Sequence, residues 1–281
     1  MIKNLQAQNM RLVSGNEHFK LIRVSEEDKA NLKPLVLING QMDHRIQAIE
    51  TFTNITKPWC YQYSGYYQYD DEIHTPYIFL YDYPIHRVDK SKIDLLAFAS
   101  GLLKSFEELN LSDIDIMGQS CGGMIATLAS KNERVDKVVA MHSPIYGSPL
   151  IQSEKYKKYI KYMAAHEKLI FDLIGIMVDE RFGFMQDNKY GFRNIEEAGD
   201  LSKIIFTTSN ISDGSSKSML GNIIAETIYK YLGVYSDGVV TYDKERMDKD
   251  GINYIDESSI SHFEMGNHNY NNMYYTKYLR K

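Results

Sequence analysis

Ile114-Asp115-Ile116-Met117-Gly118-Gln119-Ser120-Cys121-Gly122-Gly123-Met124-Ile125-Ala126 is the stretch that decides the fold. It opens as a short apolar run ending on glycine, which reads as a buried strand over Ile114 to Gly118. Small residues then open a helix predicted from Gly122 to Ser130. Ser120 stands between two glycines, each two residues away. Strand and helix backbones approach closely at such a turn, and only small residues fit there. A bare G-x-S-x-G arises often by chance; the strand directly before it and the helix directly after give it meaning. The turn lifts the serine out of the sheet, and the positive end of the helix points at whatever lies beside it.

Working outward, apolar runs at Lys137–His142 and Lys203–Thr208 follow, and Pro34–Gly40 and Tyr77–Pro84 precede. Each reads as a strand, the last stopped by proline. Between them, residues 88–110 place Ile93, Leu96, Ala97, Leu102, Leu103 and Phe106 at helical spacing. Residues 10–24 read as a hairpin, 44–56 as a short helix, and Ile252–Ile255 as a last strand before a helix-like tail. The tyrosine-rich 61–69 carries no assignment. Strands alternating with helices predict an α/β class with a mostly parallel sheet, in one domain over 1–281. Residues 151–202 break the alternation and read as a helical insertion over the sheet.

With 43% hydrophobic and 25% charged residues, disordered and collagen-like classes are excluded. A net charge of −5 gives no reason to expect nucleic acid as a partner. Lys155, Lys157, Lys158 and Lys161 alternate with tyrosines and read as a solvated helix face. Cys60 and Cys121 are the only cysteines, too few for a disulfide framework or a cysteine metal site. No apolar run spans a bilayer, so no membrane insertion is expected. Nothing at the start reads as an export signal, so the expected location is cytoplasmic.

A serine is a weak nucleophile until a base, itself held by an acid, takes its proton. In strand–turn–helix sites of this kind the chain order is serine, then Asp or Glu, then His. Asp237 in Ser236-Asp237-Gly238-Val239-Val240 and Asp213 in Ser212-Asp213-Gly214 are both candidates for the acid. His262 in Ser261-His262-Phe263-Glu264-Met265 and His268 are candidates for the base. The developing negative charge needs two donors. One is the amide of Cys121, whose side-chain type is incidental; the second must come from the loop after Ile38. Met42, His142, Tyr146 and Met163 are candidate pocket residues. His142 reads as lining that pocket or packing under the insertion rather than as catalytic.

G-Q-S-C-G-G after a strand, H-S-P-I-Y-G-S after the next, then S-D-G-V-V and S-H-F-E-M, resemble the lipase branch of the α/β-hydrolases, the bacterial triacylglycerol lipases above all. The resemblance covers residues 34–150 and 203–279. It implies an α/β-hydrolase fold with helices flanking the sheet and a cap or lid at 151–202. It implies a serine esterase with Ser120, Asp237 and His262 as its catalytic residues and a small-molecule or lipid acyl ester as substrate; that chemistry requires no cofactor, and no ligand set in the sequence compels a metal. By position the amides of Gln41 and Cys121 form the oxyanion hole, although this chain has Asn39 where those lipases have histidine. A thioesterase or acyltransferase would use the same residues. A non-catalytic binding protein on this scaffold is the alternative of another class. Oligomeric state is left open.

Overall fold

The computed structural model describes residues 2–4, 10–16, 18–24, 32–38, 40, 68–81, 95–148, 192, 194–262, 264 and 272–280. The expected helix at 44–56 and residues 151–191 and 193 of the expected insertion lie outside these residues; of the insertion only 192 and 194–202 are described.

Ten strands are described: β1 (Ile2–Asn4), β2 (Met10–Gly15), β3 (Phe19–Val24), β4 (Lys33–Ile38), β5 (Gln68–Asp70), β6 (His74–Tyr81), β7 (Ile114–Gln119), β8 (Val135–Met141), β9 (Ile204–Thr208) and β10 (Tyr254–Asp256). Eight form one sheet in the order β10-β9-β8-β7-β4-β6-β3-β2. From β10 to β6 all neighbours are parallel, and the β2–β3 hairpin adds an antiparallel edge. The mostly parallel sheet is therefore as expected. β1 and β5 make a separate antiparallel ribbon.

Alternation along the strands divides the core between two faces. Val36, Ile38, Phe79 and Ile116 face α1 (Leu95–Glu108) and α2 (Cys121–Ala129) through Phe98, Leu102, Phe106 and Ile125. Leu35, Leu37, Ile78 and Met117 face the other way, against Tyr274, Tyr275 and Leu279 of the C-terminal segment. That segment ends in a π-helical turn over Tyr275–Leu279. Among the described residues no helix is long and apolar enough to cross a membrane.

β6 begins at His74, three residues before the expected start. Pro76 pairs with Leu35 of β4 and sits just beyond the end of the β3 ladder, which stops at Arg23 opposite Tyr77. Three further helices lie between the strands: α3 (Ile195–Ala198), α4 (Met219–Leu232) and α5 (Lys244–Lys249). The Ser218 side chain caps the start of α4, and Gly233 in left-handed conformation (φ 69°) ends it.

Candidate active site

The parallel strands all send their carboxyl ends to one edge, where the sequence motifs meet. Ser120 leaves β7, the strand between β4 and β8, with φ 52° and ψ −123°. A non-glycine residue in this region costs on the order of 1–3 kcal/mol and persists only where its surroundings enforce it. The enforcement is local. The Ser120 amide donates to Met141 O of β8 at 2.8 Å, and its carbonyl accepts from the Gly123 amide at 3.0 Å. A Cβ on Gly118 would lie 2.4 Å from Gly122 O, so the approach of strand to helix requires glycine. Cys121 opens α2, and helix geometry offers its amide no carbonyl within the helix. Burial pushes the Cys121 thiol up to about 12, with a hydrogen bond to Ser120 acting weakly the other way. At neutral pH it is no nucleophile.

Gly40 passes beside the nucleophile. A Cβ there would sit 3.1 Å from Ser120 Cβ and 3.8 Å from its Oγ. The chain leaving β4 is thus at the serine, as an oxyanion loop requires. Gln41, Met42, Met163 and His268 lie outside the described residues.

Asp237 is buried in the turn before α5. Gly238, at φ 97°, folds the chain so that the amides of Val239 and Val240 donate to Asp237 Oδ1 at 2.9 and 2.7 Å. The other oxygen, Oδ2, lies 3.0 Å from His262 Nδ1. The backbone repeats the link, for the His262 amide donates to Asp237 O at 2.9 Å. Glu264 holds the histidine's turn: its carboxylate accepts from the Ser261 amide at 3.0 Å and from the Ser216 hydroxyl. Asp213 is instead an exposed turn residue whose carboxylate accepts from the Ser215 amide at 3.1 Å.

His142 was expected at the pocket and apart from the catalytic groups. Its Nδ1 lies 2.8 Å from Asp237 Oδ2, so the carboxylate has a second histidine. The ring is buried and stands edge-on to His262, centroids 6.3 Å apart. No local sequence signal marks this pairing. Tyr146 is buried too: its hydroxyl donates to Asp250 at 2.9 Å and Arg246 lies 4.0 Å over its ring, joining the loop after β8 to α5.

Burial by itself would raise the Asp237 carboxyl's hold on a proton. The charge of His262 and the hydrogen bonds from His142 and His262 outweigh it and hold the group well below the usual carboxylate range. His142, Asp237 and His262 are also the one set of three metal-capable side chains among the described residues whose ligating atoms come within 4.8 Å of one another. The carboxylate oxygen and both Nδ1 atoms are already hydrogen-bonded, so a cation bound through them would have to displace protons. The arrangement is suited to holding an imidazole in one tautomer and supporting its charge.

Comparison with solved structures gives the fold a class. The propeptide form of Bacillus licheniformis lipase BlEst2 aligns over 94% of this chain and 53% of that one, at 13% identity and a TM-score of 0.51. The mature form aligns over 95% and 96%, at 13% identity and a TM-score of 0.48. Naproxen esterase (carboxylesterase NP) from Bacillus subtilis aligns over 96% and 90%, at 13% identity and a TM-score of 0.44. No family model and no curated protein sequence matches the chain. With its sheet order and serine turn, the chain has the α/β-hydrolase fold.

Proposed function

We propose that the protein is a serine hydrolase that cleaves a carboxylic ester through an acyl-enzyme on Ser120. The observation that carries this reading is the buried, ionised Asp237 with His262 Nδ1 at 3.0 Å, at the same sheet edge as a serine on a strained strand–helix turn. Ser120 Oγ attacks the acyl carbonyl while His262 Nε2 takes its proton. His262 then gives the proton to the leaving alcohol, and Asp237 stabilises the imidazolium between these steps. The Cys121 amide supplies one donor to the oxyanion, and the Gln41 amide, one residue past Gly40, supplies the second. Water attacks the acyl-enzyme by the reverse use of the same base. The esterase and lipase among the aligned structures agree with an acyl ester as substrate.

The test is fluorophosphonate labelling with mass-spectrometric site mapping, beside hydrolysis of p-nitrophenyl esters from acetate to palmitate. Labelling is expected at Ser120. Ser120→Ala and His262→Ala should each lose at least about 10³-fold in kcat, while His268→Ala stays active. A wild-type protein that is neither labelled nor active on any chain length overturns the reading.

A further inference from the structure

We propose that His142 is a positioning residue of this site, a second histidine that fixes the catalytic carboxylate by bonding the same oxygen as His262. The proposal rests on the reading of Ser120, His262 and Asp237 as a hydrolytic site. An ionised carboxylate only accepts hydrogen bonds, about two on each oxygen. Oδ1 of Asp237 takes the amides of Val239 and Val240. Oδ2 takes His262 at 3.0 Å and His142 at 2.8 Å. With His142 in place all four positions are filled. Without it, a lone pair of a fully buried anion is left bare beside the base.

The backbone at His142 is set for this task. Its φ is 46°, a left-handed conformation that a histidine adopts at a cost. Its amide donates to Thr207 O of β9 at 2.9 Å, which holds the end of β8 in place. The preceding residue, Met141, accepts the amide of Ser120. One short segment thus fastens the nucleophile's turn through Met141 and the acid through His142.

The tautomer follows from the partner. Asp237 has no proton to give, so His142 Nδ1 carries one and Nε2 is a bare acceptor. Nε2 is buried and has no hydrogen-bond partner among the described residues. Among the described residues nothing stands ready to accept a proton placed there. The other groups facing the ring are Asp237, His262 and Glu257, the residue after β10. Burial raises the Glu257 carboxyl's proton affinity.

The test joins spectra to kinetics. In protein labelled with ¹⁵N-histidine, two slowly exchanging Nδ1–H signals are expected, one from each histidine on Asp237. His142→Phe should lose one signal and lower kcat roughly tenfold to a hundredfold, with KM unchanged. His142→Asn offers its amide N–H where Nδ1–H stood and should recover most of kcat. A merely structural role would move the unfolding midpoint without splitting kcat from KM and without rescue by asparagine. If Ser120 takes no fluorophosphonate label, the hydrolase reading falls whatever the spectra show. If Ser120 is labelled but wild-type His142 shows a protonated Nε2, or His142→Phe keeps its kcat, this proposal falls and the hydrolase reading stands.

Discussion

At the residue scale, two side chains at the site differ in which of their groups matters. In the proposed mechanism Cys121 contributes its amide alone, and its thiol is buried and pushed up to about 12. Iodoacetamide at pH 8 is therefore expected to leave it unmodified in the folded protein and to alkylate it once urea is added. Cys121→Ala should keep activity within a few-fold of wild type. Asp237 contributes charge. Its folded carboxyl titrates below the unfolded value of about 3.9, so the stability it adds is present above that pH and lost as pH falls through the folded value. Asp237→Asn is expected to flatten the acid side of a plot of unfolding free energy against pH, and to lower kcat by roughly 10³–10⁴-fold. Ser120 was legible because its signal is local: five residues fix the turn. His142 was not, because its partner lies 95 positions away and nothing near it announces the bond.

At the element scale, the position of His262 depends on α4. A Cβ on Gly221 would lie 2.5 Å from Ser261 Cβ, an atom fixed to the backbone next to His262, the proposed base. Helix propensity alone would make Gly221→Ala stabilising by about 1 kcal/mol. The contact predicts the opposite: the His262 turn must shift, kcat should fall at least roughly tenfold, and the thermal midpoint should drop. An alanine variant that is more stable and fully active would contradict this packing. α4 is not among the elements expected from the sequence, although Ser218 and Gly233 mark its ends and Ile224, Ala225 and Ile228 form a buried stripe at helical spacing. The central strands were legible as unbroken apolar runs. The start of β6 was not, since Pro76 argues in sequence against a central strand.

At the scale of the whole molecule, the proposed active site lies at the carboxyl edge of the sheet and a buried polar chain at the amino edge. The Asp70 amide donates to Tyr275 OH at 2.7 Å, and that hydroxyl donates to His74 Nδ1 at 2.9 Å. His74 Nε2 in turn donates to Asp115 Oδ2 at 3.0 Å, and Lys33 Nζ lies 2.9 Å from the other oxygen. Lys33, Asp70, His74 and Asp115 sit on four different strands and Tyr275 on the C-terminal π-helical turn, so only the tertiary fold brings them together, and no motif could have shown it. Tyr275→Phe deprives both the Asp70 amide and His74 Nδ1 of a partner. The expected cost is about 1–3 kcal/mol in urea unfolding, with KM and kcat unchanged because the catalytic edge is untouched. His74→Leu breaks the chain at its centre and should cost more.

The bond between Asp70 and Tyr275 spans 205 positions of sequence. During synthesis the sheet's amino edge emerges long before the tyrosine that completes it. Until then His74 and Asp115 wait beside a gap that only water can fill. A nascent or prematurely released chain could hold Ser120 and every strand and still lack the last partner of its buried charges. Such a product would leave the Asp70 amide and His74 Nδ1 without the Tyr275 hydroxyl, and it is expected to open more easily at that edge than the full chain.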